Sequence, residues 1–302
     1  MPQPRSSQNH DRRRNVCYPQ TAGALDKMID YGHSSRRRLP SVTREMAVAL
    51  VPFLLAFLQS YGIAQSVVRE ERKVVVGGVT EVWQLVWLKP PKPICAADDF
   101  WTSTPCNGFA FGEAGELDLV RLRQGKEFDR FHLTRLFGHD DLDGPTAERV
   151  AILQRWEVMD GDDARGSELQ QRLSLRPLAK AMKIGDYNHD GEPTEFPFQI
   201  GEVAGARICV LIGVSKENRR LHLFGTARLP DKPLKMARQH WESLRDSTKP
   251  IHVLEMGCFD HGAESQSELD LSATAKSIHV VQSVYNCPEP GKQRKLIGRG
   301  EW

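Results

Sequence analysis

Neither an H-E-x-x-H, a G-x-S-x-G nor a P-loop occurs in the 302 residues. The commonest zinc-hydrolase, serine-hydrolase and phosphate-cradling sites therefore have no support from motifs. This weakens an enzymatic reading without excluding one. Cysteine is sparse, at 6 residues, and its spacings fit no common zinc ribbon or finger. A strong basic field is also missing. The formal net charge is only +2, and residues 1–45 account for the excess with 9 basic against 4 acidic side chains. The remainder holds 32 basic against 35 acidic residues, a net of −3. A mildly acidic body gives no case for nucleic acid as a partner.

Residues 46–64, MAVALVPFLLAFLQSYGIA, carry no charge and contain a 12-residue apolar core, Ala47 to Leu58. Arg36, Arg37, Arg38 and Arg44 precede it, and Gly62 and Ala64 supply small residues at the −3 and −1 positions of a cleavage site. The segment reads as a secretory signal peptide. The alternative is a transmembrane anchor, because 19 uncharged residues nearly span a bilayer. Pro52 and the small-residue end favour cleavage. Ser35-Arg36-Arg37-Arg38-Leu39 resembles a twin-arginine export signal. Residues 1–45 are Arg-rich and lack apolar periodicity, which suggests a non-structural leader or a true start further on, at Met28. The expected product is secreted or periplasmic, beginning near Gln65. It meets a membrane only through an uncleaved leader. In an oxidising compartment disulfides are expected: Cys95 with Cys106 first, then two of Cys209, Cys258 and Cys287.

Short alternating apolar runs dominate from residue 65 onwards. Val82–Leu88, Leu117–Leu122, Val150–Val158 and Phe196–Ile200 read as strands, with helix a close alternative for Val150–Val158. Ile208–Val214 followed by Leu221–Phe224 reads as a hairpin, and Ile251–Met256, Leu269–Leu271 and Ile278–Tyr285 as a meander. Ser167 to Leu175 opens on a Ser-x-x-Gln capping box and stops before Pro177, as a helix does. Leu234, Ala237, Trp241 and Leu244 repeat at helical spacing after a cap at Asp231. The expected fold class is α+β and β-rich, with antiparallel sheets or a meander. It divides into regions 65–165 and 166–302. A seven-bladed propeller does not fit this length.

The stretch from Gly185 to Glu195, GDYNHDGEPTE, is the most informative feature. It places oxygens at alternate positions of a tight loop, which is how a chain supplies the roughly six to eight ligands of Ca²⁺. Asp186, Asn188 and Asp190 take positions 1, 3 and 5. Gly191 permits the sharp turn, and Glu192 offers its carbonyl at position 7. An EF-hand would end on Glu at position 12, but Pro197 stands there. The nearest later carboxylate is Glu195, at position 10. Strand-like flanks and the D-x-N-x-D-G pattern resemble the calcium loops of FG-GAP or VCBS-type repeats and, more loosely, of dockerins. The resemblance covers about a dozen residues and departs from the pattern at Thr194. It implies calcium as cofactor, with Glu195 or a water as the last ligand. The alternative is a solvated Asx-rich turn. An echo upstream, with Asp141, Asp143-Gly144 and Glu148, reads better as an ordinary turn.

Three further segments attract chemistry. Asp260, His261 and Glu264 suit proton transfer or metal binding in a secreted hydrolase, although they read better as a polar turn after a strand. Trp83, Leu85 and Trp87 share one strand face. Exposed, that face would take a glycan or a protein as its partner, whereas buried it is core. Asp160-Gly161-Asp162-Asp163 is a solvated loop or a second cation site.

Overall fold

A computed structural model describes residues 66–95, 109, 111–137, 149–157, 167–203, 206–230, 232–259, 262–289 and 291–302. Strands dominate, in four antiparallel sheets with two α-helices among the described residues, so the fold is β-rich α+β as the periodicity predicts. β1 (Val67–Val76) and β2 (Val79–Trp87) form a hairpin. After short β3 (Lys92–Pro93) and β4 (Gly112–Gly115), β5 (Leu117–Arg123) returns beside β2 and turns into β6 (Lys126–His132). The first sheet thus has the order β1-β2-β5-β6. β7 (Ala151–Gln154) pairs with β4 to complete a three-stranded sheet. After α1 (Ser167–Ser174), β8 (Glu195–Val203) runs along one edge of β9 (Ala206–Gly213). β10 (His222–Leu223) and β11 (Lys235–Ala237) share the other edge of β9. α2 (Arg238–Asp246) leads to the expected meander of β12 (Ile251–Met256), β13 (Ser265–Ala273) and β14 (Ile278–Asn286), extended by β15 (Leu296–Glu301).

β9 is the hinge of the packing. It is apolar without alternation because both of its faces are covered, as in any strand sandwiched between layers. Val210 and Ile212 point into one core with Trp83, Leu85, Trp87, Leu117, Leu119, Phe196 and Phe198. Cys209 and Leu211 point into another with Tyr187, Phe224, Trp241, Leu244, Leu271 and Ile278. The first core draws side chains from both sides of residue 165. Trp83, Leu85 and Trp87 are each 0% exposed. The row of indoles is therefore core and presents no surface to a glycan or a protein, which removes the adhesion-surface alternative built on it.

The second helix is a correction. It begins at Arg238 rather than after Asp231, which lies outside the described residues. Lys235–Ala237 instead extends along β9, where its backbone groups find ladder partners that a helix N-terminus would have left open. Ala237 occupies the N-cap position with no side-chain cap. The apolar leader 46–64, Cys106, Val158 and residues 138–148 and 158–166 also lie outside the described residues. Among those described, no helix is long and apolar enough to cross a membrane.

Cys258 and Cys287 form a disulfide, with Cα atoms 5.3 Å apart. It joins the segment after β12 to the end of β14. Among the described residues Cys209 is the free, buried thiol, and Cys95 is disulfide-bonded. The Cys258–Cys287 bridge spans 29 positions, so loop-closure entropy assigns it roughly 2–4 kcal/mol. A Cys258→Ser/Cys287→Ser variant is expected to lose about that much in urea unfolding without reductant. An unchanged midpoint would show that the bridge constrains nothing.

Candidate metal centre

The loop before β8 closes on itself. Gly185 N–H donates to Glu195 O at 2.9 Å and Glu195 N–H returns to Gly185 O at 3.1 Å. Inside this clasp the Asp186, Asn188 and Asp190 side chains fold back onto the loop backbone. Asp186 Oδ1 accepts from Asp190 N–H at 3.1 Å and its Oδ2 from Gly191 N–H at 3.0 Å. Asn188 Oδ1 accepts from Asp190 N–H at 3.1 Å, and Asp190 Oδ1 from Glu192 N–H at 2.9 Å. Gly191 has φ +86°, a left-handed conformation that glycine adopts without a Cβ clash. The alternation Asp-x-Asn-x-Asp-Gly thus produces a tight coil with its oxygens gathered on the inside.

Glu195 comes back into this coil. It opens β8 and is 0% exposed. Its Oε2 accepts from Tyr187 N–H at 3.0 Å, and its Oε1 lies 2.7 Å from Thr194 Oγ1. Burial, with the nearby charges of Asp190 and Asp186 added, outweighs those two contacts and pushes its carboxyl up to about 8. Thr194 Oγ1 also lies 2.9 Å from Val214 O, and one hydroxyl proton cannot serve both oxygens. A protonated Glu195 resolves the conflict by donating to Thr194, which then donates to Val214. Gly213 is what lets the two strands meet here, since a Cβ on it would stand 2.2 Å from Thr194 O.

Four separate parts of the fold hold the loop. The Glu192 side chain pairs with Arg219, beyond β9, and accepts from Gly77 N–H in the β1–β2 turn at 3.3 Å. Arg219 holds the Glu192 carboxyl below its ordinary range. Asp190 Oδ2 accepts from Lys216 N–H at 2.7 Å, and the Lys216 ammonium donates to Asp190 O. His189 Nε2 meets Leu244 O at the end of α2, 2.6 Å away. Asn188 Nδ2 donates to Ala275 O, between β13 and β14, at 3.3 Å. Tyr187 lies in the second core with the Arg245 guanidinium 5.7 Å from its ring centroid.

The donors are all hard oxygens, as Ca²⁺ prefers. In the positions seen, however, no three Asp, Glu, His or Cys side chains among the described residues stand close enough together to grip an ion. Asp186 instead gives both oxygens to loop N–H groups, and Asp190 gives one to Glu192 N–H and the other to Lys216 N–H beyond β9. What fits a cation is the surplus: a buried carboxyl beside two further acids. Of the catalytic candidates, Asp260 and His261 lie outside the described residues and Glu264 is exposed. The upstream echo at Asp141, Asp143 and Glu148 and the acidic turn at Asp160–Asp163 also fall outside. Lys216 and Arg219 are partners that local spacing did not reveal, because the segment beyond β9 brings them in. No protein-family model, no curated protein and no solved structure matches this chain.

Proposed function

We propose that this is an exported protein in which residues 185–195 bind a calcium ion that locks the β-rich body together. The carrying observation is the buried Glu195 carboxyl, folded back to face Asp186 and Asp190. A divalent cation there would neutralise charges that otherwise repel. Asp186, Asn188 and Asp190 would hold it by their side chains, Glu192 by its carbonyl and Glu195 by its carboxylate. The Glu192 carboxylate is engaged by Arg219, which leaves its carbonyl as the donor. The loop touches four elements, so fixing it fixes them relative to one another. Export is supported by the residue 46–64 pattern and by the Cys258–Cys287 bridge, which suits an oxidising compartment. The hydrolase alternative rests on the spacing of Asp260, His261 and Glu264 alone.

Calorimetric titration of the chelator-stripped full chain with CaCl₂ tests the reading. One ion per chain is expected, with a dissociation constant of about a millimolar or below. Glu195→Gln is expected to weaken it at least tenfold, and Asp186→Ala/Asp190→Ala to abolish it. No saturable heat up to several millimolar calcium would sink the proposal.

A further inference from the structure

A cleft of about 240 Å³, lined by none of residues 185–195, is bordered by β7, β8, β9 and the start of α2. Its walls divide chemically. Phe109, Leu153 and Phe198 supply an apolar floor. Arg207 on β9 and Arg238, the first residue of α2, line one side, and Lys180 and Lys183 stand exposed at the rim. One carboxylate, Glu157, lines it among the described residues, so cations outnumber acids four to one.

The Arg238 Nε is buried and has no hydrogen-bond partner among the described residues. Its Nη2 reaches Gln199 Oε1 at 3.4 Å, and the guanidinium also neighbours the Cys209 thiol. A guanidinium presents its donors in a rigid fork that suits a carboxylate or a phosphate. Burying one of those N–H groups without an acceptor is unfavourable, and an anion in the cleft would supply the acceptor. Small-molecule sites combine an apolar lining with a few placed polar groups, and this cleft has both. Its volume is that of one ring or a short chain with a head group. A bare inorganic ion would leave the aromatic floor unused.

We propose that the cleft binds a small amphipathic anion, with a carboxylate or phosphate head at Arg238 and Arg207 and a flat or short apolar body on Phe109 and Phe198. Neither the sequence motifs nor the calcium loop assigns such a site. Titration calorimetry on the calcium-loaded full chain, with phenyl phosphate, benzoate, inorganic phosphate and benzyl alcohol as separate probes, tests it. Phenyl phosphate or benzoate is expected to bind once per chain, at least tenfold more tightly than benzyl alcohol and more tightly than inorganic phosphate. The stronger of the two identifies the head group.

Arg238→Gln is expected to cost at least tenfold in affinity at an unchanged melting temperature. Lys183→Glu, an exposed change that leaves packing intact, is expected to cost several-fold. Binding should persist in Asp186→Ala/Asp190→Ala, which separates this site from the calcium reading. The proposal is overturned if no anionic probe saturates, or if benzyl alcohol binds as well as benzoate. Unchanged affinity in Lys183→Glu or in folded Arg238→Gln would also overturn it.

Discussion

Removing calcium with a chelator at pH 8 is expected to lower the melting temperature of the full chain by roughly 5–10 °C. A ligand that binds only the folded state at a hundred times its dissociation constant contributes about 2.7 kcal/mol, and each kcal/mol is worth about 2–4 °C in a body of this size. The gap should depend on pH, and Glu195 fixes its sign. Without metal its carboxyl holds a proton up to about pH 8, against an ordinary value of 4.5. Between those values the unfolded chain has released a proton that the folded chain retains. Stability in chelator therefore falls as pH rises from about 4.5 to about 8 and levels off above that. Calcium needs the ionised carboxylate and binds better as pH rises. The two trends widen the gap between the calcium and chelator melts from pH 5 to pH 8. In Asp186→Ala/Asp190→Ala the two melts should coincide at every pH, and in Glu195→Gln the chelator curve should lose its slope. Superimposable melts of the unaltered chain with and without calcium at pH 8 would refute the structural role.

Much of the sheet framework was legible because half-buried antiparallel strands alternate. β2, β5, β8 and β14 all follow from period-2 runs, and the apolar run of β9 was legible as one strand of a hairpin. β1 was not legible, since VVREERKVVV sets charge where alternation should put apolar groups. Its charges are taken up by partners distant in sequence. Arg69 pairs with Glu113 and donates to Gln154 O and Ala179 O, while Glu70 accepts from Ala181 N–H. β15 carries two glycines in six residues and draws its register wholly from β14. The calcium-type loop was legible in Asp186, Asn188, Asp190 and Gly191 because its turns are local. That the position-10 carboxylate turns inwards was not, because Gly213 and the β8–β9 register decide it. The anionic-ligand cleft was invisible in the sequence. Its cations come from the segment before the loop, from β9 and from α2, and only the fold brings them together.

Glu81→Gln is expected to destabilise the protein by roughly 3–5 kcal/mol, since breaking a buried pair leaves the Arg121 charge with Asp129 as its one remaining carboxylate. Glu81 on β2 and Arg121 on β5 have fully buried side chains and pair at 2.7 Å. Glu81 also accepts from Trp83 Nε1 at 3.1 Å and pairs with Arg123 at 2.7 Å. Arg121 reaches Asp129 on β6 at 3.0 Å and donates to Arg219 O at 2.6 Å. That last bond matters for the proposed metal site, because Arg219 is the residue that clamps Glu192 of the 185–195 loop. The ion cluster therefore fixes the backbone of the turn on which the loop rests. Glu81→Gln should weaken calcium binding several-fold without touching any proposed ligand. Replacing both members, as Glu81→Leu/Arg121→Met, should recover much of the stability, because apolar groups of similar size remove both fully buried charges and Asp129 keeps Arg220 nearby. It should not recover the calcium affinity, since the bond to Arg219 O is gone. Urea unfolding measures the first effect and calorimetric titration the second. A loss below about 1 kcal/mol in Glu81→Gln, or full calcium affinity in the double variant, would show that sheet and loop are independent.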